Sequence, residues 1–373
     1  MQTAAAPAEE HEPGSVDCSV LVPVLNEERY IGNTVAAMLR QRFGGILEFV
    51  FADGGSTDRT REILESLAAE DPRIRIFDNP GRTVTSGLNV ALRHARGRWV
   101  ARMDAHTEYP DDYLASGVAR LRQGGTKWVS GPQVPRGDNA VSRAVALALR
   151  SPLGRGGSRK WGVEGAPGRD EFEVDSGVFA GVWERATLLA YHGWDERWSV
   201  NEDSELAGRF LARGERLICV PSMGADYSPR RSLKGLWRQY YEYGKHRAHT
   251  AARHPQTMRR SQILPPAIVI DTAIVHWGPG RLRRPATAGL LLYGATLAWA
   301  GASALRTDRR PEALLVPVAL AVMHFGHGTG FIRGATQYGV PIAALASIAG
   351  FGELATAWTP ETEGVFNPSL TAD

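Results

Sequence analysis

Cysteine is scarce in this sequence, and several features that would place it in a common protein class are missing. The two cysteines, Cys18 and Cys219, each lie in an apolar run, so neither a disulfide framework nor a cysteine-based metal site is supported. The formal net charge is only +3 and the first half has no block of consecutive basic residues, so we predict no nucleic-acid partner. Residues 1–17 lack the apolar core of a signal peptide. We expect a disordered N-terminal lead and a cytoplasmic first domain.

Strands and helices alternate over the first hundred or so residues. Each β-prone run is followed by a helical pattern of about a dozen residues, and the runs are 19–24, 46–51, 74–77 and 99–103. The continuous apolar character of the first run is typical of a strand buried on both faces. The alternation predicts an α/β fold with a mainly parallel, doubly wound sheet.

Polar side chains follow the four strands, where each strand ends. They are Asn26 and Glu27, then Asp53, Arg82, and finally Asp104 with His106. The carboxyl ends of parallel strands meet at one edge of the sheet, which is where such sheets bind ligands. Pro23 has no N–H group, so its strand must end there or border a ligand. The pattern predicts a ligand site, with Asp104 and His106 as metal-ligand candidates.

Two further stretches could contribute to this site. Residues 151–169 are rich in Gly, Ser and Arg, which suits either a loop that closes over phosphates or a plain surface linker. Residues 201–205 place Glu202, Asp203 and Glu205 in the first turn of a helix, with Asn201 as the expected N-cap. These acids can be capping residues or catalytic ones.

The last third of the chain is apolar and rich in arginine. Residues 232–254 mix basic and aromatic side chains, which suits a helix at a membrane interface. Residues 286–305 carry no charge and have about the length that a bilayer core requires, and 314–332 is similar. The segment 263–277 is too short to span and 338–358 is weak. A buried helical domain is the alternative for all of them.

Taken together, the motifs resemble those of the family 2 glycosyltransferases with the GT-A fold, over roughly residues 18–254. The resemblance lies in Val22-Pro23-Val24-Leu25-Asn26-Glu27, Asp53-Gly54-Gly55-Ser56-Thr57-Asp58, Met103-Asp104-Ala105-His106 and Asn201-Glu202-Asp203. More narrowly, the chain resembles the ExoA type of succinoglycan-biosynthesis glycosyltransferases. That type has a similar Asp-Ala-His turn, a Leu-Gly-x-Gly-Gly-Ser loop and C-terminal membrane helices.

The resemblance implies a domain division. Residues 18–230 would form the catalytic domain, with a nucleotide-sugar half at 18–134 and an acceptor half at 135–230. An interfacial amphipathic helix would follow at 231–260, membrane-associated helices at 261–358 and a tail at 359–373. The implied location is the inner cell membrane, with the catalytic domain on the cytoplasmic side.

It also implies roles for the residues at the strand ends. The donor would be a UDP-sugar, bound by Pro23, Asn26, Glu27, Asp53, Arg82 and Asp104. Asp104 and His106 would hold a divalent metal. His106 stands where the commonest pattern has a second acid, and imidazole is a poor ligand for Mg²⁺, so Mn²⁺ is the preferred ion and Mg²⁺ the second choice.

For transfer itself, the resemblance implies Asp203 as general base, with Glu202 orienting the acceptor or the helix. One base and direct attack imply inversion at the anomeric carbon. Gln239 and Tyr243 match part of the Gln-x-x-Arg-Trp motif of processive synthases, but Glu242 replaces its Arg. This departure favours single addition of a hexose, glucose from UDP-glucose, to a polyprenyl-diphosphate-linked acceptor in exopolysaccharide synthesis.

Other functions stay open. The acceptor could be soluble or another lipid, in which case activity would survive deletion after about His254. The chain could instead be a membrane protein that binds a nucleotide sugar without turnover. A nucleotidyltransferase shares the fold, but its Gly-rich activation motif, with Arg or Lys, is not seen after the first strand.

Overall fold

A computed structural model describes residues 15–105, 107–161, 170–175, 177 and 180–350 of the chain. Most of the predicted lead, the end of the last predicted apolar segment, the predicted tail and His106 therefore lie outside the described residues. The predicted domain bounds stay a prediction.

Eight strands form one mixed sheet in the order β3-β2-β1-β4-β8-β5-β9-β7, and two further strands, β6 and β10, pair in parallel beside it. The strands are β1 Cys18–Val24, β2 Leu47–Asp53, β3 Ile74–Asp78, β4 Trp99–Arg102, β5 Trp128–Ser130, β6 Gln133–Pro135, β7 Phe172–Val174, β8 Val182–Glu184, β9 Leu217–Cys219 and β10 Ala225–Tyr227.

The prediction of a mainly parallel sheet is confirmed. Strands β1 to β4 all run parallel, while β8 pairs antiparallel with β4 and β5, and β7 pairs antiparallel with β9. The first strands are buried on both faces because helices cover both. Val20 and Val22 pack into one core cluster and Leu21 into the other. This explains their unbroken apolar sequence.

The helices are α1 Ile31–Leu39, α2 Thr60–Glu70, α3 Val84–His94, α4 Tyr113–Arg122, α5 Ala140–Arg150, α6 Pro152–Arg155, α7 Arg185–Ala190, α8 Glu202–Ala212, α9 Leu233–Arg253, α10 Leu264–Trp277, α11 Gly280–Thr307, α12 Val316–Tyr338 and α13 Ile342–Ala349. Helices α1, α2 and α4 contribute to the first core cluster, and α3, α7 and α8 to the second. The site described below lies at the carboxyl edge of β1, β2 and β4 and at the start of α8.

Pro23 lies one residue before the end of β1. The Leu21 carbonyl accepts from Met103 N–H at 3.2 Å, so Leu21, and by strand alternation Pro23, faces β4. Strand β4 ends at Arg102, before it reaches the level of Pro23. The missing N–H of Pro23 therefore costs no ladder hydrogen bond, as the sequence predicted for a strand end.

The C-terminal helices pack onto the rest of the chain. Val145 and Leu149 of α5 share a core cluster with Leu320 and Met323 of α12. By length and composition, Gly280–Thr307 and Pro311–Tyr338 could each cross a membrane, with 22% and 50% of their most apolar window buried inside the protein. Large apolar side chains on the outside of α11, Leu291, Leu292 and Trp299, are more than half exposed.

Helices α9 and α12 pack closely because glycines line their contact. A β-carbon on Gly244 of α9 would lie 2.0 Å from the carbonyl oxygen of His327. On α12, the spacing Gly326, Gly330, Gly334 brings three glycines to α9, and a β-carbon on Gly330 would lie 2.0 Å from the carbonyl oxygen of Tyr241. The part of α9 predicted to face a membrane surface is therefore covered in part by α12.

Candidate active site

The turns after β1 and β2 are fastened to each other. The Asn26 side-chain carbonyl accepts from Thr57 N–H at 2.8 Å, and Asn26 N–H donates to the Ser56 hydroxyl at 2.9 Å. Glu27 N–H donates to the Thr60 hydroxyl at 2.7 Å. Asn26 has φ +56°, in the left-handed region, where Asn is one of the few residues tolerated. The two turns thus form one rigid edge that includes Pro23, Asn26 and Glu27.

Asp53 lies buried at the end of β2 and presents one oxygen to this edge. Its Oδ1 accepts from the Ser56 hydroxyl at 2.6 Å and from Ser56 N–H at 3.1 Å. Its Oδ2 lies 3.8 Å from Arg61, longer than a hydrogen bond. Oδ2 is therefore able to accept a hydrogen bond from a ligand.

Arg82 follows β3 and reaches over the turn after β2. Its φ is +56°, and its guanidinium donates to the Gly55 carbonyl at 3.5 Å, at the limit of a hydrogen bond. Left-handed backbone in a non-glycine residue tends to occur at functional sites. The described strand-end candidates therefore share one edge of the sheet.

Arg102 connects this edge to helix α8. Its Nε and Nη2 donate to the two oxygens of Asp104 at 2.8 and 3.2 Å, and its Nη1 donates to Glu202 at 2.9 Å. Arg102 is buried, and the charges of Asp104 and Glu202 outweigh burial and raise the pKa of its guanidinium. Burial raises the pKa of Glu202, and Arg102 only partly opposes this. One cation thus fixes two of the predicted carboxylates.

Asp203 is placed differently. Its Oδ1 accepts from Ser204 N–H at 2.8 Å, and its Oδ2 lies 3.7 Å from Lys160 Nζ. Lys160 itself donates to the Gly177 carbonyl at 2.9 Å. Burial lowers the pKa of Lys160, while the charge of Asp203 opposes that shift. Asp203 Oδ2 therefore faces a cation without being bound tightly by it.

Asn201 occupies the N-cap position of α8, as predicted, and its carbonyl accepts from Glu205 N–H at 3.0 Å, but its side chain does not cap the helix. Asn201 precedes the helix with φ +63°. Its Nδ2 instead donates to the Tyr243 carbonyl at 3.3 Å, on α9. The left-handed backbone turns this side chain toward α9, so Asn201 positions α8 against α9. The predicted acids, Glu202, Asp203 and Glu205, do lie in the first turn of α8.

A cavity of about 630 Å³ joins α8, α9 and the loop 151–161. Its lining includes Asp104, Glu202, Asp203, Gln239 and Tyr243. The other strand-end candidates, Pro23, Asn26, Glu27, Asp53 and Arg82, lie at the sheet edge and outside this lining. The structure therefore divides the predicted residues into two neighbouring groups, with Asp104 in the cavity group.

Gln239 and Tyr243 form a polar cluster in the wall of this cavity. The Gln239 amide donates to the hydroxyls of Tyr227 and Tyr243, each at 3.0 Å. Glu242, which replaces the Arg of the processive motif, pairs with Lys245 at 2.7 Å and is not among the lining residues. The residue at the Arg position of the processive motif therefore contributes no charge to the cavity lining.

Several cavity residues were missed at the level of sequence, and they are Arg102, Lys160, Tyr227, Arg247, Arg259, His324 and His327. For Arg102 a signal existed, since a charged residue two positions before Asp104 on a buried strand lies on the same face. Lys160 lies in the Gly-, Ser- and Arg-rich stretch 151–169, for which a loop over phosphates was one prediction, and the remaining residues come from distant parts of the chain with no local pattern.

Asp104 is the one predicted metal ligand that the structure describes. Each oxygen of Asp104 accepts one hydrogen bond from Arg102, which leaves lone-pair capacity on both. Within the described ranges, no group of three or more His, Cys, Asp or Glu side chains is arranged to hold a metal ion. Asp104 therefore fits as one carboxylate ligand to an ion that takes further oxygens from a phosphate. The second predicted ligand, His106, lies outside the described residues.

Comparison with known proteins identifies the family of the chain. Residues 19–166 match the model of glycosyl transferase family 2. The succinoglycan biosynthesis protein ExoA of Rhizobium meliloti (strain 1021) is 33% identical over 326 residues, which cover 86% of this chain and 95% of that protein. The uncharacterized glycosyltransferase EpsJ of Bacillus subtilis (strain 168) is 32% identical over 100 residues, 27% of each chain.

A solved structure shows the same fold. The mannosyltransferase PcManGT from Pyrobaculum calidifontis, in complex with GDP-Man and Mn²⁺, aligns with a TM-score of 0.50 at 22% identity, covering 83% of this chain and 86% of that chain. The structural similarity indicates a GT-A-like fold for this chain. With a relative of 33% identity along nearly its whole length, this chain belongs to the family 2 glycosyltransferases.

Proposed function

We propose that the chain is an inverting glycosyltransferase that moves one hexose, glucose from UDP-glucose, to a polyprenyl-diphosphate-linked sugar. The observation that carries the proposal is the contrast among the three cavity carboxylates. Arg102 hydrogen-bonds both Asp104 and Glu202, whereas, among the described residues, the cation nearest to Asp203 Oδ2 is Lys160 at 3.7 Å. Asp203 is therefore the carboxylate that can accept a proton from an acceptor hydroxyl.

The reaction follows from this placement. The acceptor hydroxyl donates to Asp203 and attacks the anomeric carbon, so that a new carbon–oxygen bond forms as the bond to the nucleoside diphosphate breaks. The hydroxyl proton passes to Asp203, and the nucleoside diphosphate leaves with the bonding electrons. A single displacement inverts the anomeric carbon. Lys160 Nζ lies 3.7 Å from Oδ2, the oxygen that would take the proton.

The donor would bind at the strand-end edge. Asp53 Oδ2 would accept the uracil imide N–H, with Pro23, Asn26 and Glu27 beside the base and ribose. Arg82 would lie near the base or the diphosphate. Asp104 and His106 would hold Mn²⁺ in preference to Mg²⁺, and such an ion, when bound, neutralises the departing diphosphate.

The acceptor and location rest on two supports. The relative of 33% identity is a succinoglycan biosynthesis protein, which supports a role in exopolysaccharide synthesis. The exposed apolar side chains of α11 and the two helices of sufficient length support attachment to the inner membrane, with the catalytic domain on the cytoplasmic side. Gln239 and Tyr243 would border the acceptor. Glu242, at the position of the motif Arg, does not line the cavity, and this supports single addition.

A panel assay tests the proposal. The full chain in lipid nanodiscs is given UDP-glucose, UDP-galactose, UDP-N-acetylglucosamine or GDP-mannose, with Mn²⁺ or Mg²⁺ and a polyprenyl-diphosphate-linked sugar. We expect transfer from UDP-glucose with Mn²⁺, and NMR of the product should show the inverted anomer. If no nucleotide sugar is consumed, the enzyme proposal fails. If a soluble sugar serves as acceptor at least as well, the acceptor assignment fails.

A further inference from the structure

A buried cation without a counter-ion lines the cavity next to the proposed base. Arg247 of α9 is 5% exposed. Its Nε donates to the side-chain carbonyl of Gln262 at 3.0 Å, and its Nη2 donates to the Thr257 carbonyl. Both partners are neutral. Among the described residues, no carboxylate oxygen forms an ion pair with Arg247.

Such an arrangement is costly unless an anion completes it. Buried charges in proteins are generally paired, because transfer of an ion out of water is unfavourable by several kcal/mol. Burial, followed by the charge of Arg259, lowers the pKa of Arg247 to about 10, and the more distant Asp175 and Asp203 compensate only in part. The geometry and the charge balance both leave room for a negative ligand.

Two other cations share this part of the cavity. Lys160 lies 3.7 Å from Asp203, and Arg259, which is bound to Asp175, also lines the cavity. Arg247, Lys160 and Arg259 together form a cation cluster. Among the described residues, Asp203 and the largely exposed Asp175 stand against these three cations, so the cluster has an excess of positive charge there.

The same cavity also has apolar lining residues. Arg259 and Gln262 precede α10 directly, and its first residues, Leu264 and Pro265, line the cavity together with Met323 of α12. The lining thus contains a carboxylate, Asp203, with Lys160 beside it, and hydrocarbon side chains from α10 and α12, of which α12 belongs to a segment long and apolar enough to cross a membrane. A lipid-linked sugar has three parts that suit such a lining: a hydroxyl, a diphosphate and a hydrocarbon chain.

We infer that Arg247, together with Lys160 and Arg259, binds the diphosphate of the lipid-linked acceptor, and that Leu264, Pro265 and Met323 receive the first part of its hydrocarbon chain. The inference rests on the proposed function and adds the acceptor subsite to it. In the proposed function the donor diphosphate would bind instead near Arg82 and Asp104, and Asp104 borders the same cavity.

The test compares two acceptors that differ only in the anion. One carries the acceptor sugar on a short prenyl diphosphate, and the other carries the same sugar as an uncharged alkyl glycoside of equal chain length. The full chain in nanodiscs of neutral lipid is assayed as wild type, Arg247→Gln, Arg247→Lys and Arg238→Gln. Arg238 is an exposed residue on the same helix, outside the cavity lining, and serves as the matched control.

We expect wild type to prefer the diphosphate acceptor in kcat/KM. Arg247→Gln should lower kcat/KM for that acceptor about tenfold more than for the alkyl glycoside, because a charge-assisted hydrogen bond is lost. Arg247→Lys should recover part of the preference, and Arg238→Gln should keep it. A variant that is merely less stable would lose activity with both acceptors equally, so the ratio separates recognition from folding.

Three results would overturn the inference. Equal use of the two acceptors by wild type would remove the subsite while leaving the proposed function intact. An unchanged ratio in Arg247→Gln, with a raised KM for UDP-sugar in acceptor-free hydrolysis, would assign Arg247 to the donor diphosphate. A ratio that depends on Arg247 only when phosphatidylglycerol is added to the nanodiscs would assign the cations to lipid headgroups. Absence of transfer to either acceptor would instead overturn the proposed function itself.

Discussion

Arg102 and Glu202 lie 100 positions apart in the chain and are joined by a hydrogen bond of 2.9 Å. The same guanidinium hydrogen-bonds Asp104, so it connects the edge that would bind the donor to the helix that would carry the base. Because the three groups are nearly buried, their charges have little water to compensate them.

Replacement of Arg102 by Met should therefore be strongly destabilising. It would leave Asp104 and Glu202 as unpaired carboxylates, and breaking a buried ion pair in this way costs about 3–5 kcal/mol of the free energy of unfolding. Denaturant unfolding of the full chain in detergent measures this. The control is Arg98→Met, which removes an exposed ion pair with Glu184 and should cost at most about 1 kcal/mol. Equal losses in the two variants would contradict the role assigned to Arg102.

Asp203→Asn should abolish transfer without abolishing donor binding. Loss of a general base lowers the rate by about 10²–10⁴-fold, and an amide cannot take the proton. Transfer from UDP-glucose is measured beside the affinity for UDP by calorimetry. Ser204→Ala tests whether a neighbouring change alone has this effect, and it should stay within a few-fold of wild type. If Asp203→Asn keeps full transfer, another group is the base; if wild type binds UDP but never turns over the donor, the chain is a binding protein.

The acid stability of the protein should depend on Glu205, which lies on the buried face of α8. Burial alone would raise the pKa of its carboxyl, but the charge of Arg209 and hydrogen bonds from His254 and Arg209 outweigh it and lower the pKa from 4.5 to about 2. A lowered pKa in the folded state stabilises the protein above pH 4.5, and this contribution is lost as the pH falls from 4.5 toward 2.

Glu205→Gln should be less stable than wild type at neutral pH, because it leaves Arg209 without its carboxylate partner. Its free energy of unfolding should then fall less on acidification, by ~3 kcal/mol over the full window. Unfolding curves at successive pH values measure the difference. Glu65→Gln, which removes an exposed carboxylate, should follow the wild-type slope. A Glu205→Gln slope equal to that of wild type would show that Glu205 is not held ionised.

The metal preference should follow His106. EDTA should stop transfer, and Mn²⁺ should restore it better than Mg²⁺ because imidazole binds Mn²⁺ more readily. His106→Asp should keep activity and move the preference toward Mg²⁺, measured as the ratio of rates with the two ions. An unchanged ratio would remove His106 from the metal site and leave Asp104 as the residue to test.

Gly330→Ala should separate α12 from α9. The new methyl group would meet the Tyr241 carbonyl oxygen at 2.0 Å, and overpacking of this kind costs about 1–3 kcal/mol. Thermal unfolding and transfer are both measured. Gly294→Ala on α11 is the control, since its β-carbon would have no atom within 4 Å, and it should be neutral or stabilising. Similar losses in both variants would mean that close packing of α9 on α12 does not matter.

The sequence was sufficient to predict the parallel half of the sheet, because buried strands and their terminal polar residues are local patterns. It predicted Asp53 and Asp104 at strand ends for the same reason. It could not predict that β8 runs antiparallel to β4, or β7 to β9, because the sequence pattern of a three-residue strand does not indicate the direction of its pairing. It predicted Asn201 as the N-cap of α8 correctly, but residue type alone does not reveal the left-handed backbone that accompanies the missing side-chain bond.

The cluster of cations in the cavity could not be predicted from local sequence patterns. Lys160, Arg247 and Arg259 come together only when the loop 151–161, α9 and the start of α10 meet. In the sequence Lys160 lies in a stretch that suits a loop over phosphates, whereas Arg247 and Arg259 are ordinary basic residues in an arginine-rich chain. The glycines of α12 did offer a local signal, a spacing of four residues, but its meaning depends on which helix lies opposite.

The glycine-lined contact between α9 and α12 also has a consequence for how the protein is made. Helix α9 leaves the ribosome long before α12, so the backbone surface that the glycines will meet stays uncovered during synthesis. The wall of the cavity is complete only after the last apolar helices have been placed. Completion of the cavity is thus tied to the packing of α12 onto α9, and a chain that ended before α12 would lack part of the cavity wall.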